Sequence, residues 1–187
     1  MFRFNSYLPR LSLKSQGIKY GRNLKLIGWP MIFVTNGGVI RIGDDVSINS
    51  SALSNLLGLY QRTMIVAKGK GEITIGNDVG ISGAAIYSWE SIKIGDHTII
   101  GANAKIVDTD FHPTDVVTRV NKKNYLAKTS KVVIGENVFI GMNSIILKGT
   151  KLGNNCIVGA GAVVSGEYAD GSMIIGNPAK TVKIMNG

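Results

Sequence analysis

Residues 107–131 read VDTDFHPTDVVTRVNKKNYLAKTSK and place Asp110, His112 and Pro113 within four positions. Proline restricts the residue before it to an extended conformation, and side chains two apart in an extended segment face the same way. The Asp110 carboxylate is therefore expected beside the His112 imidazole. A carboxylate there holds the ring in one tautomer and favours its protonated form, which raises its basicity. His112 then has the makings of a general base. The other reading is a loop histidine with a structural role.

The remaining chemistry-bearing residues are fewer. His97 stands in a Gly95-Asp96-His97-Thr98 turn and reads as a solvated corner residue. Two histidines argue against a three-histidine zinc site, and neither a CxxC nor a Cys/His cluster is present, so no metal is expected. The single Cys156 reads as core packing, because a buried thiol is a poor source of thiolate. No GxSxG elbow, Walker-type phosphate loop or GxGxxG preceding a helix occurs. The chain carries 21 Lys+Arg against 12 Asp+Glu over 187 residues, a formal charge of +9 that suits an acidic ligand. One cysteine fits a reducing compartment, and Met1 to Gly17 lacks the apolar stretch of a secretory signal, so a cytosolic protein is expected.

The elements that position these residues follow from a period of six. Ile134, Ile140, Ile146, Leu152, Val158 and Val164 recur at every sixth residue, and most are followed by glycine. Small or β-branched residues (Val138, Ser144, Thr150, Cys156, Ala162) precede each next aliphatic by two. Ile75, Ile81, Ile94, Ile100 and Ile106 carry the register through the middle, and Ile42 and Ile48 give a weaker early copy. An amphipathic helix repeats its apolar face every three or four residues, so six excludes it. The spacing fits hexapeptide β-helix repeats: short strands with inward aliphatics, corners turned by Gly-Asn/Asp dipeptides, and about three hexads, roughly 18 residues, to each triangular coil. A stack of coils buries a column that no single coil could bury.

The expected fold is all-β, a parallel β-helix with one protruding loop and short terminal caps. Its divisions are an N-terminal cap with irregular first coils at 1–38, a β-helix at 39–178 interrupted by an excursion at 107–131, and a tail at 179–187. A break of that length inside a repeat domain is usually functional or disordered. The N-terminal residues Arg3, Phe4, Tyr7, Arg10, Lys14, Tyr20 and Trp29 read as a solenoid cap, with contact to a membrane-linked glycan as the alternative.

From Ile73 to Ile184 the chain resembles hexapeptide-repeat acyltransferases, in particular the branch with maltose and galactoside O-acetyltransferases and those of capsule and lipopolysaccharide synthesis. The resemblance rests on the coil from Ile134 to Leu147, the Asp110-Phe111-His112-Pro113 loop, GAGAVV at 159–164 and GNPAK at 176–180. It implies a left-handed β-helix, a homotrimer, and acetyl-CoA lying between neighbouring prisms. By position, His112 matches the family's catalytic base. Met142 and Ala160 match residues lining the pantetheine arm, and Ser165, Lys180 and Lys183 match positions near the adenosine end. A basic residue of the sugar-acetylating relatives is Gly166 here, and the residue that polarises the acceptor, often Asn, is replaced near Ser82, which becomes the substrate-binding candidate. The resemblance implies acetyl transfer to a hydroxyl of a sugar, nucleotide-sugar or lipid-linked glycan, with polysaccharide biosynthesis as the setting. N-acetylation of an amino sugar and a non-catalytic trimeric scaffold are the alternatives. CoA phosphates then account for the positive charge, and no nucleic-acid partner is expected, since aromatics are 7% of the chain with no stacking platform.

Overall fold

The computed structural model describes residues 7–184, so Arg3, Phe4 and the rest of 1–6, with 185–187 of the expected tail, lie outside the described residues. Among the described residues, short strands form three sheets in which each strand pairs with the strand one coil away. The chain visits first, second and third sheet in turn, for example at Glu72–Ile75, Gly80–Ser82 and Ala85–Ser88. All these pairings are parallel until the last strand, and the coil is a left-handed parallel β-helix.

Register explains why the hexad works. In the second sheet Ile48 pairs with Ile81, Ile81 with Ile100, Ile100 with Ile140, and Ile140 with Val158, so one aliphatic column runs up the interior. Ile65, Ile86, Ile106, Ile146 and Val164 form its counterpart in the third sheet, and all are at most 1% exposed. Full burial of each such side chain stabilises by about 1.5–3 kcal/mol. The small slots hold Val138, Ser144, Thr150, Cys156 and Ala162, all buried.

The corner between the first and second sheets is built by the Gly-Asx dipeptides. Gly95 approaches the next coil so closely that a Cβ would stand 2.5 Å from the backbone of Gly135. The residue after it donates and accepts along the stack: Asp96 Oδ1 accepts the Asn77 N–H at 2.8 Å, and Asn77 Oδ1 accepts the Asp44 N–H at 2.9 Å. Bonds from the Asn77 backbone and side chain hold the Asp96 carboxyl below the usual carboxylate range, and Arg22 does the same for Asp44. The third corner position is left-handed in Asn23, Asp45, Asp78, His97, Asn137 and Asn155, with φ between 51° and 59°. Asn and Asp tolerate that region. His97 belongs to this column, exposed and 3.0 Å from Asp78 Oδ2 through Nδ1, which is the corner role its turn suggested.

Both ends of the described chain are built into the sheets. Residues 19–35 already give one strand to each sheet, at Lys19–Tyr20, Lys25–Gly28 and Met31–Thr35. Helix α1 (Tyr7–Ser15) closes this end by placing Leu13 against the column. Beside it Gln16 Oε1 accepts the Val34 N–H at 3.0 Å. At the other end Ala179–Ile184 pairs antiparallel with Ser172–Gly176, so the expected tail begins as a strand carrying Lys180 and Lys183. Among the described residues the coils are interrupted twice. Residues 51–63 leave between the second and third sheets, and residues 108–131 leave between the third and first.

Candidate active site

The longer excursion is rooted by a buried carboxylate. Asp108 is fully buried and accepts from Ser88 Oγ at 2.6 Å and from the N–H groups of Trp89 and Glu90 at 2.8 and 2.9 Å. Three donors satisfy a charge that would otherwise be costly to bury. The two legs of the loop then pair: Ser130 N–H donates to Asp108 C=O at 2.9 Å, and Asp110 N–H to Lys128 C=O at 3.0 Å. Beyond this stem the backbone turns sharply. Phe111 has φ +60°, and the His112 N–H donates back to the Asp110 carbonyl at 2.6 Å. This three-residue turn is a strained arrangement for a non-glycine residue, costing on the order of 1–3 kcal/mol.

The turn corrects the expectation for Asp110. A left-handed residue between them removes the extended geometry that would have put both side chains on one side. The Asp110 carboxylate instead lies 3.2 Å from Lys148 Nζ. The partner of the imidazole is Asn124, whose Oδ1 lies 3.0 Å from His112 Nδ1. Asn124 is held by a 3-10 turn, Asn124–Leu126, in which Ala127 N–H donates to its carbonyl at 3.0 Å. Between the two comes helix α2 (Val116–Val120), capped by Asp115, whose carboxylate accepts the Thr118 N–H at 2.8 Å. With Asn124 Oδ1 accepting, Nδ1 is the donor of this bond, and in the neutral ring that leaves the lone pair on Nε2. Nothing in the sequence marked Asn124, since the twelve-residue separation has no local periodicity; an amide in a break of this kind was the available signal.

A groove of about 510 Å³ runs along the outer face of the second sheet, at its corner with the third. Ser82, Met142 and Ala160 all line it, with Gly80, Ile99, Gly101, Phe139 and Gly159 between them. Asn49 and Asn55 contribute amides and Leu57 an apolar wall from the shorter excursion. Asn49 Nδ2 donates to Ser82 Oγ at 3.1 Å, which leaves the Ser82 hydroxyl proton available to the groove. Tyr60, at the end of this loop, lies 3.3 Å from Lys105 Nζ and 3.4 Å from Asn143 Oδ1. Lys180 and Lys183 are exposed on the last strand of the same sheet. Ser165 is exposed at the end of the third sheet, and the Tyr168 hydroxyl is within 3.2 Å of both its carbonyl and that of Ala179, next to Lys180.

Ser82, Met142 and Ala160 thus share one groove, whereas His112 and Asp110 lie on the opposite edge of the third sheet in the same chain. Cys156 stays out of both: it is buried, its Sγ donates to the Ala169 carbonyl at 3.2 Å, and burial pushes its thiol pKa up. Among the described residues no group of three or more His, Cys, Asp or Glu side chains is placed to hold a metal. No described helix is long and apolar enough to cross a membrane.

Comparison with known proteins places this geometry among relatives. Residues 131–166 match the bacterial transferase hexapeptide family, described by six repeats. The lipopolysaccharide biosynthesis O-acetyl transferase assigned in Escherichia coli K12, WbbJ, is 32% identical over 170 residues, covering 88% of this chain and 81% of that one. The galactoside O-acetyltransferase of Lactococcus lactis is 34% identical over 95 residues, 51% of this chain and 44% of that protein. Among solved structures, a point mutant of AntD, an N-acyltransferase from Bacillus cereus in complex with dTDP-4-amino-4,6-dideoxyglucose and coenzyme A, superposes with a TM-score of 0.68 at 26% identity, over 95% of this chain and 89% of that one.

Proposed function

Because the chain belongs to the hexapeptide-repeat acyltransferase family, we propose that it moves an acetyl group from acetyl-CoA to a hydroxyl of a sugar or glycan precursor, with His112 as general base. The chain is an acyl-CoA-dependent acetyltransferase. The observation that carries the finer reading is the His112–Asn124 pair: Asn124 Oδ1 lies 3.0 Å from Nδ1 of the exposed imidazole, a contact that would keep the proton on Nδ1 and leave Nε2 to act as the base. Nε2 takes the acceptor proton as the hydroxyl oxygen attacks the thioester carbonyl, and the imidazolium returns it to the departing CoA sulfur. A base so placed contributes about 10²- to 10⁴-fold.

The groove suits the co-substrate. Glycines at 80, 101, 141 and 159 put no side chain into it, which would leave backbone groups accessible to the pantetheine amides beside Met142 and Ala160. Lys180 and Lys183, with Ser165 nearby, would meet the phosphates of the adenosine end. Ser82, oriented by Asn49, would donate to an oxygen of the acceptor or the thioester. A single chain separates this groove from His112 by the width of the third sheet, so completing the site takes a second copy. The excursion supports this: Val116, Val117, Val120, Tyr125 and Leu126 are 61%, 67%, 73%, 76% and 52% exposed, an apolar surface suited to a neighbouring prism. Head-to-tail contact between the loop edge of one chain and the groove edge of the next closes into a ring, here a homotrimer with three equivalent sites.

The test is thiol release from acetyl-CoA with a panel of sugars, nucleotide-sugars and amino sugars. His112→Ala should lower kcat by about 10²- to 10⁴-fold with the CoA dissociation constant nearly unchanged. Full activity in that variant removes His112 from the mechanism, and absence of CoA binding in the native protein leaves only the scaffold reading. The similarity to an N-acyltransferase crystallised with an amino sugar nucleotide favours the amine acceptor as the second reading, which the same panel decides.

A further inference from the structure

Phe111 separates the stem of the excursion from His112, and three observations meet in it. Its φ of +60° is the reversal that takes the His112 side chain out of line with Asp110. Its N–H donates to the buried Thr109 Oγ1 at 3.1 Å, tying the turn to the stem. Its ring packs on two aromatics of the coil beneath, Tyr87 at a centroid distance of 5.1 Å and 56°, and Trp89 at 6.3 Å and 69°. Tilted and edge-on contacts of this kind are the favoured aromatic geometries. Lys68 Nζ adds a contact 5.4 Å from the Trp89 ring, which holds that indole from the other coil.

We propose that Phe111 is a positioning residue for His112: its ring, clipped onto Tyr87 and Trp89, holds the left-handed turn that brings the imidazole to Asn124. The proposal rests on the reading of His112 as the base. A β-branched or bulky residue with positive φ is a conformational outlier, and glycine would adopt it freely. An aromatic residue stands there instead, so its side chain contributes something that backbone ease alone would not retain. Pro113, which is buried, stiffens the residue on the other side of His112, so the imidazole is flanked by a clipped ring and a fixed φ. The stem, the clip and the Asn124 turn are then three supports for one ring.

The experiment reads the imidazole directly, without any acceptor. Full-length protein is labelled with ¹⁵N-histidine in a His97→Asn background, a substitution matching the asparagines at 23, 137 and 155 of the same corner column. The parent should show a single pattern with the proton on Nδ1. Phe111→Ala should shift it toward a tautomer mixture, the odds of the held turn falling by about 2- to 13-fold, the equivalent of one aromatic pair. Phe111→Tyr should keep the parent pattern. Phe111→Leu, which retains apolar bulk, should move with Phe111→Ala and serves if that variant does not fold. An unaltered pattern in folded Phe111→Ala or Phe111→Leu overturns the proposal. Full activity of His112→Ala in the thiol-release assay would instead remove the base reading while the spectra still report whether Phe111 sets the ring.

Discussion

The sharpest perturbation at the site is a pair of single changes, Asn124→Ala and Asp110→Asn. The imidazole takes one hydrogen bond, from Nδ1 to Asn124 Oδ1 at 3.0 Å, whereas the Asp110 carboxylate is engaged by Lys148 at 3.2 Å. Removing an ordinary hydrogen bond costs about 0.5–1.5 kcal/mol, equivalent to roughly 2- to 13-fold in a rate that depends on that orientation. Asn124→Ala should therefore lower kcat by that factor, far less than the loss of His112 itself. Asp110→Asn removes a part-exposed ion pair worth about 0–1 kcal/mol and should leave kcat within a few-fold of native. In a His112→Ala background Asn124→Ala should have no further effect, because its contribution passes through the ring. The assay is thiol release at saturating acetyl-CoA with the best acceptor of the panel. Native kcat in Asn124→Ala, or a larger drop in Asp110→Asn than in Asn124→Ala, would refute the assignment of Asn124 as the orienting partner.

Three further outcomes follow from the same geometry. Lys180→Ala and Lys183→Ala should each raise the KM for acetyl-CoA about 1.4- to 5-fold at low salt with kcat nearly constant, an effect that shrinks at high ionic strength. Cys156 is buried with its thiol pKa pushed up, so native protein should resist iodoacetamide at neutral pH and react once unfolded, while Cys156→Ser keeps its activity. The Asp96 carboxyl is held below its ordinary value of 3.8 by the bonds from Asn77, so its contribution to stability is full above that value and disappears as pH falls through the lower folded one. Urea melts between pH 2 and 6 should show a shallower acid loss in Asp96→Asn, and an identical slope would sink that account.

How far the sequence could be read varies with what each residue answers to. The column from Ile134 to Val164, the Gly-Asx corners and the small slots were legible, because each obeys a local rule repeated many times: an inward aliphatic every six residues, a left-handed corner, a narrow interior. The stretch at 19–35 was legible only as part of irregular first coils, since Gly28, Trp29 and Pro30 replace the usual corner and only pairing with 39–68 reveals its strands. Ser82, Met142 and Ala160 were found one at a time by resemblance. Their convergence on a groove came from the stacking of coils, which pairs Gly80 with Ile99, Ile99 with Phe139 across the long excursion, and Phe139 with Ile157 on one face.

The amino-acid sequence by itself therefore determined the repeating prism, the place of its longer break and the identity of the histidine in that break. Tertiary structure decided which side chain holds the imidazole. The Asp110–His112 expectation assumed an extended backbone, and a single left-handed Phe111, stabilised by aromatic contacts to Tyr87 and Trp89 from another coil, exchanged Asp110 for Asn124. Local rules describe residues whose conformation is set by their neighbours in sequence. A turn held against its own preference by packing twenty-odd residues away is decided only when the coils are stacked.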